Sequence, residues 1–251
     1  MLKRLLLLIT LSVSVLSPFA DAAPPAPQSV KRALTLTPET SVATAFLIAP
    51  GYLLTANHAV RGKQRLYVAK ERDRVFTAAK VVGYSDELDI AIIAASVQGR
   101  PLEFGQWQTF PRGAETFVLG FPKIGNYVSE KRITAGIFNG DQKFRGREDW
   151  FQLSAEIQRG NSGSPVIGPD GRVYGLISHK LDAQKALQKY GDFPQNVNFA
   201  LKSSLILNFL EGYQIKVRSA VFDPVKELRP YQVFAGNQDS IFLLLGTSKA
   251  D

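Results

Sequence analysis

The chain has 251 residues, 45% of them hydrophobic and 21% charged, with no cysteine and two histidines. This balance excludes a disordered or fibrous protein and allows one large core or two small ones, with no disulfide to hold them. The net charge of +8 is scattered: only "KERDR" and "KFRGR" cluster, both read best as solvated loops, and no basic-aromatic motif points to nucleic acid.

The N-terminal stretch "MLKRLLLLITLSVSVLSPFADAA" places Lys3 and Arg4 before an apolar run ending near Leu16, followed by Ala20-Asp21-Ala22. That order predicts a secretory signal peptide over residues 1–22, cleaved after Ala22, and hence export to the periplasm or the medium. A membrane anchor is the alternative, but the run is shorter than the roughly 20 residues a bilayer span needs. No membrane association is expected after cleavage. Residues 23–41 begin "APPAPQS", a leader expected to be extended.

From Val42 onward, short apolar runs alternate with turn residues. "TAFLIAP-G-YLLTA", "RLYVA", "VFTAAKVVGY", "LDIAIIAA", "ETFVLGF", "RITAGIF", "DWFQLS", "SPVIG-PDG-RVYGLIS" and "VNFAL" each read as a strand rich in Val, Ile, Phe, Tyr and Thr. "GPDG" is a hairpin signal. Repeated short strands predict an all-β barrel or sandwich rather than a parallel sheet. "LKSSLILNFLEGYQ" breaks the pattern with apolar residues at largely helical spacing, Ser203 or Ser204 as N-cap and Gly212 as the stop. Residues 214–251 look extended again, with "SIFLLLG" a strand of unassigned role.

Chemistry is suggested at "IQRGNSGSPV", residues 157–166. Gly, Asn, Ser and Pro also make ordinary turns, so Ser162 needs partners before it counts as a nucleophile. His58 ends the strand of "YLLTANHAV", and His179 ends that of "GLISHK". Either is readable as a satisfied polar residue. Asp89 in "ELDIAIIAA" is either a solvated strand terminus or a carboxylate placed to hold something.

Taken together, "TANHAV", "LDIAII" and "GNSGSPV" resemble the three catalytic segments of chymotrypsin-fold serine proteases, especially the cysteine-free HtrA/Deg-type branch of bacterial exported proteases. The resemblance runs from about Thr44 to Leu210. It implies two six-stranded antiparallel β-barrels with a C-terminal helix: the first barrel over 42–108, and the second with its closing helix over 109–213. Residues 214–251 form an extension with no assigned role. It implies His58, Asp89 and Ser162 as catalytic residues, with the Gly160 and Ser162 N–H groups as oxyanion hole. Ile157, Gln158, Ile177 and Ser178 would line the primary substrate pocket. No metal or cofactor is implied, and the partners would be protein or peptide substrates.

Three local features refine this reading. Asn161 carries no charge, so it cannot capture a newly cut N-terminal ammonium as the aspartate of digestive relatives does. Ile157 would make the pocket apolar and select small or medium aliphatic residues. His179 sits two residues too far along to create glutamate specificity. The residues after the helix leave too little chain for the PDZ module HtrA-type proteases usually carry. A protease-like binding protein with a latent cleft is the alternative.

Overall fold

The computed structural model describes residues 29–30, 40–71, 75–125, 127–128, 130–144, 147–180 and 197–248. The expected signal peptide and cleavage site, most of the leader, and parts of both basic clusters lie outside the described residues. The chain forms β1 (Ser29–Val30), β2 (Ser41–Ala49), β3 (Tyr52–Ala56), a short helix α1 (Asn57–Val60), β4 (Arg65–Ala69), β5 (Phe76–Ser85) and β6 (Ile90–Ala95). Then follow β7 (Phe104–Gly105), β8 (Glu115–Gly120), β9 (Lys123–Ile124), β10 (Tyr127–Val128), β11 (Arg132–Phe144), β12 (Arg147–Leu153), β13 (Pro165–Ile167), β14 (Val173–Lys180) and β15 (Asn198–Lys202). Last come α2 (Ser203–Gly212), β16 (Ser219–Ala220), α3 (Pro230–Asn237) and β17 (Ile241–Thr247).

Two closed six-stranded antiparallel barrels result, as the resemblance implied. The second runs β13-β8-β11-β12-β15-β14 and closes through β13–β14, with β7 and β16 added at one edge. The first runs β5-β4-β17-β2-β3-β6 and closes through β5–β6. Its sixth strand therefore comes from the far end of the chain, which gives "SIFLLLG" its role. β17 lies between β2 and β4, with Leu243 opposite both Thr44 and Ala69.

Strand alternation distributes the side chains over three apolar layers. Ala43, Ala45, Leu47, Phe242 and Leu244 fill the first barrel. Val118, Phe138, Phe151, Val166 and Ile177 fill the second. Phe46, Leu54, Phe117, Phe121, Leu176 and Leu243 belong to the layer shared between them. Because β17 has barrel interior on one face and shared layer on the other, its residues 241–245 are all at most 1% exposed. Burying five large apolar side chains contributes roughly 7–15 kcal/mol, comparable to the net stability of a whole domain.

The "GPDG" turn joins β13 to β14, with Gly171 N–H donating to Gly168 C=O at 2.9 Å. Asp170 within it is fully buried. Its carboxylate accepts bonds from the Tyr174 hydroxyl at 2.8 Å and Arg172 Nη1 at 2.9 Å. Arg172 also donates to Val221 C=O at 2.9 Å, which ties the C-terminal segment to the second barrel.

One expectation is corrected here: residues 214–251 are not wholly extended, because Pro230–Asn237 is helical. Pro230 at the first helical position needs no hydrogen-bond partner, and Gln232 Oε1 accepts the Arg229 N–H at 2.8 Å. Only Val233 and Asn237 are buried, too few to produce a helical apolar repeat in the sequence.

Candidate active site

The catalytic candidates lie where the two barrels meet. β3 runs into α1 at Asn57, whose N–H donates to Asp89 C=O at 3.1 Å, so the turn carrying His58 is pinned to the start of β6. Asp89 has φ 53°, a left-handed conformation that aspartate adopts at modest cost and that often accompanies function. The twist brings its carboxylate under His58. Oδ1 accepts the His58 backbone N–H at 2.8 Å, and Oδ2 accepts from His58 Nδ1 at 2.7 Å. His58 Nε2 lies 3.0 Å from Ser162 Oγ.

These contacts define the proton arrangement. A carboxylate only accepts, so the proton resides on Nδ1 and the Nε2 lone pair faces the serine hydroxyl. Burial alone would raise the Asp89 carboxyl, but hydrogen bonds from the His58 side chain, the Ser178 hydroxyl and the His58 backbone N–H, with the electrostatic pull of the imidazole, outweigh it. Its carboxyl is held below the ordinary aspartate value, which keeps it ionised beside the imidazole.

The loop around Ser162 is tied down mostly by its own backbone. Lys123 N–H donates to Arg159 C=O at 2.6 Å. In a trans peptide this turns the following Gly160 N–H to the opposite side. Neither the Gly160 nor the Ser162 N–H has an acceptor among the described residues. Gly160 at φ 91° and Gly163 at φ 82° both need glycine, since a Cβ would lie 2.2 Å from Phe121 O and 2.3 Å from Thr44 O respectively. Asn161 Oδ1 accepts the Gln158 N–H at 3.2 Å, holding the loop without a charge.

Ile157 and Ile177 are buried together in the core of the second barrel, and the Gly163 N–H of the loop donates to Ile177 C=O at 2.7 Å. Gln158 is half-buried. Ser178 was expected beside the substrate, but its hydroxyl donates to Asp89 Oδ2 at 2.7 Å. A serine one residue before His179 carries no local sign of this bond, because its partner lies eighty-nine positions away. His179 lies in β14, and its side chain is outside the described residues. Thr44 was also missed as a site residue: a buried threonine between two alanines reads simply as strand. Its hydroxyl donates to Gly160 C=O at 2.8 Å and accepts the Phe121 N–H at 3.0 Å.

Among the described residues, no group of three or more His, Asp or Glu side chains could hold a metal ion, and no helix is long and apolar enough to cross a membrane.

Residues 43–176 match the family model for a trypsin-like peptidase domain. "Uncharacterized protein y4bJ" of Sinorhizobium fredii is 32% identical over 70% of this chain and 28% of its own length. A "Probable periplasmic serine endoprotease DegP-like" of Chlamydia pneumoniae is 30% identical over 53% of this chain and 28% of its own. The chain thus spans well under half the length of these relatives. Among solved structures, "HtrA-type protease AlgW with decapeptide" superposes with a TM-score of 0.56 at 26% identity, covering 68% of this chain and 50% of that one.

Proposed function

The chain belongs to the trypsin-like peptidase family, and from that membership we propose that it is an exported serine endopeptidase acting on unfolded or extended protein segments. The observation that carries the reading is the continuous line from Asp89 Oδ2 to His58 Nδ1 at 2.7 Å and from His58 Nε2 to Ser162 Oγ at 3.0 Å. His58 Nε2 takes the hydroxyl proton as Ser162 Oγ attacks the scissile carbonyl, then returns it to the leaving amine. Asp89 fixes the imidazole tautomer and stabilises its cation. The Gly160 and Ser162 N–H groups, which have no acceptor among the described residues, receive the oxyanion of the tetrahedral intermediate.

On the acyl side of the cut, Val, Ala, Ile and Leu are the preferred residues. Support comes from Ile157, next to the loop in sequence, and Ile177, both apolar and packed in the same core cluster. The export reading, with cleavage after Ala22, is supported by the signal-like residues 1–22 and by the periplasmic description of the DegP-like relatives.

Mass spectrometry of peptides released from a denatured protein mixture tests the reading, with Ser162→Ala in parallel. Cuts that require Ser162 and follow aliphatic residues are expected. Cuts after basic residues or glutamate would overturn the pocket assignment. Absence of Ser162-dependent cuts would overturn the enzyme and leave a peptide-binding cleft.

A further inference from the structure

A nucleophile loop without a charged anchor is held by neutral contacts, and among the described residues its hydrogen bonds to β2 converge on Thr44. The Thr44 hydroxyl donates to Gly160 C=O at 2.8 Å, and the Thr44 backbone N–H donates to Ser162 C=O at 2.9 Å. The two residues whose N–H groups form the oxyanion hole thus both rest their carbonyls on Thr44. The Thr44 carbonyl in turn lies where a Gly163 side chain would be, 2.3 Å from an added Cβ, and accepts the Thr55 hydroxyl at 2.8 Å. All of this is out of water: Thr44 and Thr55 are 0% exposed.

Thr44 belongs to the first barrel and the loop to the second, so the loop inherits its position from wherever β2 lies. β2 has β3 on one side and β17 on the other, and Leu243 stands opposite Thr44. Thr44 directs both of its main-chain groups towards Ser162 and Thr55, while its neighbours Ala43 and Ala45 face Leu244 and Phe242 of β17. One edge of the strand therefore receives β17 as the other grips the nucleophile loop.

We propose that Thr44 is the positioning residue of the nucleophile loop, and that the C-terminal strand β17 acts on catalysis through it. This rests on the serine-endopeptidase reading above. In place of an ion pair at position 161, the oxyanion hole is set by a neutral contact across the barrels.

Thr44→Val and Thr44→Ser test the contact on a peptide substrate, together with binding of a peptide boronic acid, whose tetrahedral adduct fills the hole, and of the plain cleavage-product peptide. Thr44→Val is expected to lower kcat by about 10- to 100-fold and weaken the boronate to a similar degree, with KM and product affinity unchanged. Thr44→Ser, which keeps the hydroxyl, should recover most of the loss. Wild-type kcat in Thr44→Val, or no recovery in Thr44→Ser, overturns the proposal. A matched pair tests the strand and serves equally should Thr44→Val fail to fold: Leu243→Ala and Leu245→Ala remove the same volume from positions that are both 1% exposed. Both should lower the melting temperature, but only Leu243→Ala should weaken the boronate. Equal effects on boronate binding would assign β17 a purely structural role and overturn its part. A wild-type protein with no Ser162-dependent cleavage would overturn the endopeptidase reading instead, so the two failures are distinct.

Discussion

Ser178 Oγ of the second barrel lies 2.7 Å from Asp89 Oδ2 of the first, on the same oxygen that faces His58 Nδ1. The carboxylate is therefore gripped from both barrels at once. The bond fixes where Asp89 points and helps keep it charged.

Ser178→Ala should lower kcat about tenfold or more, the size expected for losing a hydrogen bond to a charged group, with KM unchanged. Steady-state kinetics on a peptide substrate check this. A rise in KM with constant kcat would instead show that Ser178 serves the substrate.

Asp89 predicts an acid limb in stability. Its carboxyl titrates lower in the folded protein than in the unfolded chain, so its contribution is fully present above the unfolded value near 3.8. It is lost as pH falls through the lower folded value. Urea unfolding of wild type and Asp89→Asn between pH 6 and pH 3 should show the two curves converging on the acid side.

Lys131 predicts the opposite limb. Burial drives its ammonium down to about 8, against Asp239 and Glu71, which favour the charge, and Lys70, which opposes it. The amine donates to Gln238 C=O just before β17 and lies over the Phe121 ring at 5.6 Å. The folded protein binds this proton less tightly than the unfolded chain, so the charged lysine costs stability below pH 8. That cost fades as pH rises towards the unfolded value of 10.5. Measured by urea unfolding, wild type should gain stability relative to Lys131→Met between pH 8 and pH 10. A flat difference would refute the assignment.

Asp170→Asn removes the charge that Arg172 and Tyr174 share. Breaking a buried pair typically costs about 3–5 kcal/mol. A fall in melting temperature of several degrees is expected, with kcat at low temperature unaffected because the network stands apart from Ser162.

Gly160→Ala tests the oxyanion turn. Its new methyl would lie 2.2 Å from Phe121 O at φ 91°, so the peptide must rotate and withdraw its N–H. A loss of roughly two to three powers of ten in kcat is expected, with His58 and Ser162 intact in a crystal structure of the variant.

Much of this protein was determined locally and was legible in its residues. The strands from "TAFLIAP" to "VNFAL" follow from β-branched and aromatic runs ended by turn residues. The helix at Ser203–Gly212 follows from its apolar spacing. His58, Asp89 and Ser162 stood out because each sits at the end of an apolar strand or in a glycine turn. Only the tertiary structure decided that β17 closes the barrel begun some two hundred residues earlier, since its partners on β2 and β4 lie far beyond any local pattern. It alone decided that the Thr44 and Ser178 hydroxyls serve the nucleophile loop and Asp89. A hydroxyl's partner is chosen by distance in space, and the contacts of Thr44 with Gly160 and Ser178 with Asp89 span 116 and 89 positions, far beyond any local pattern.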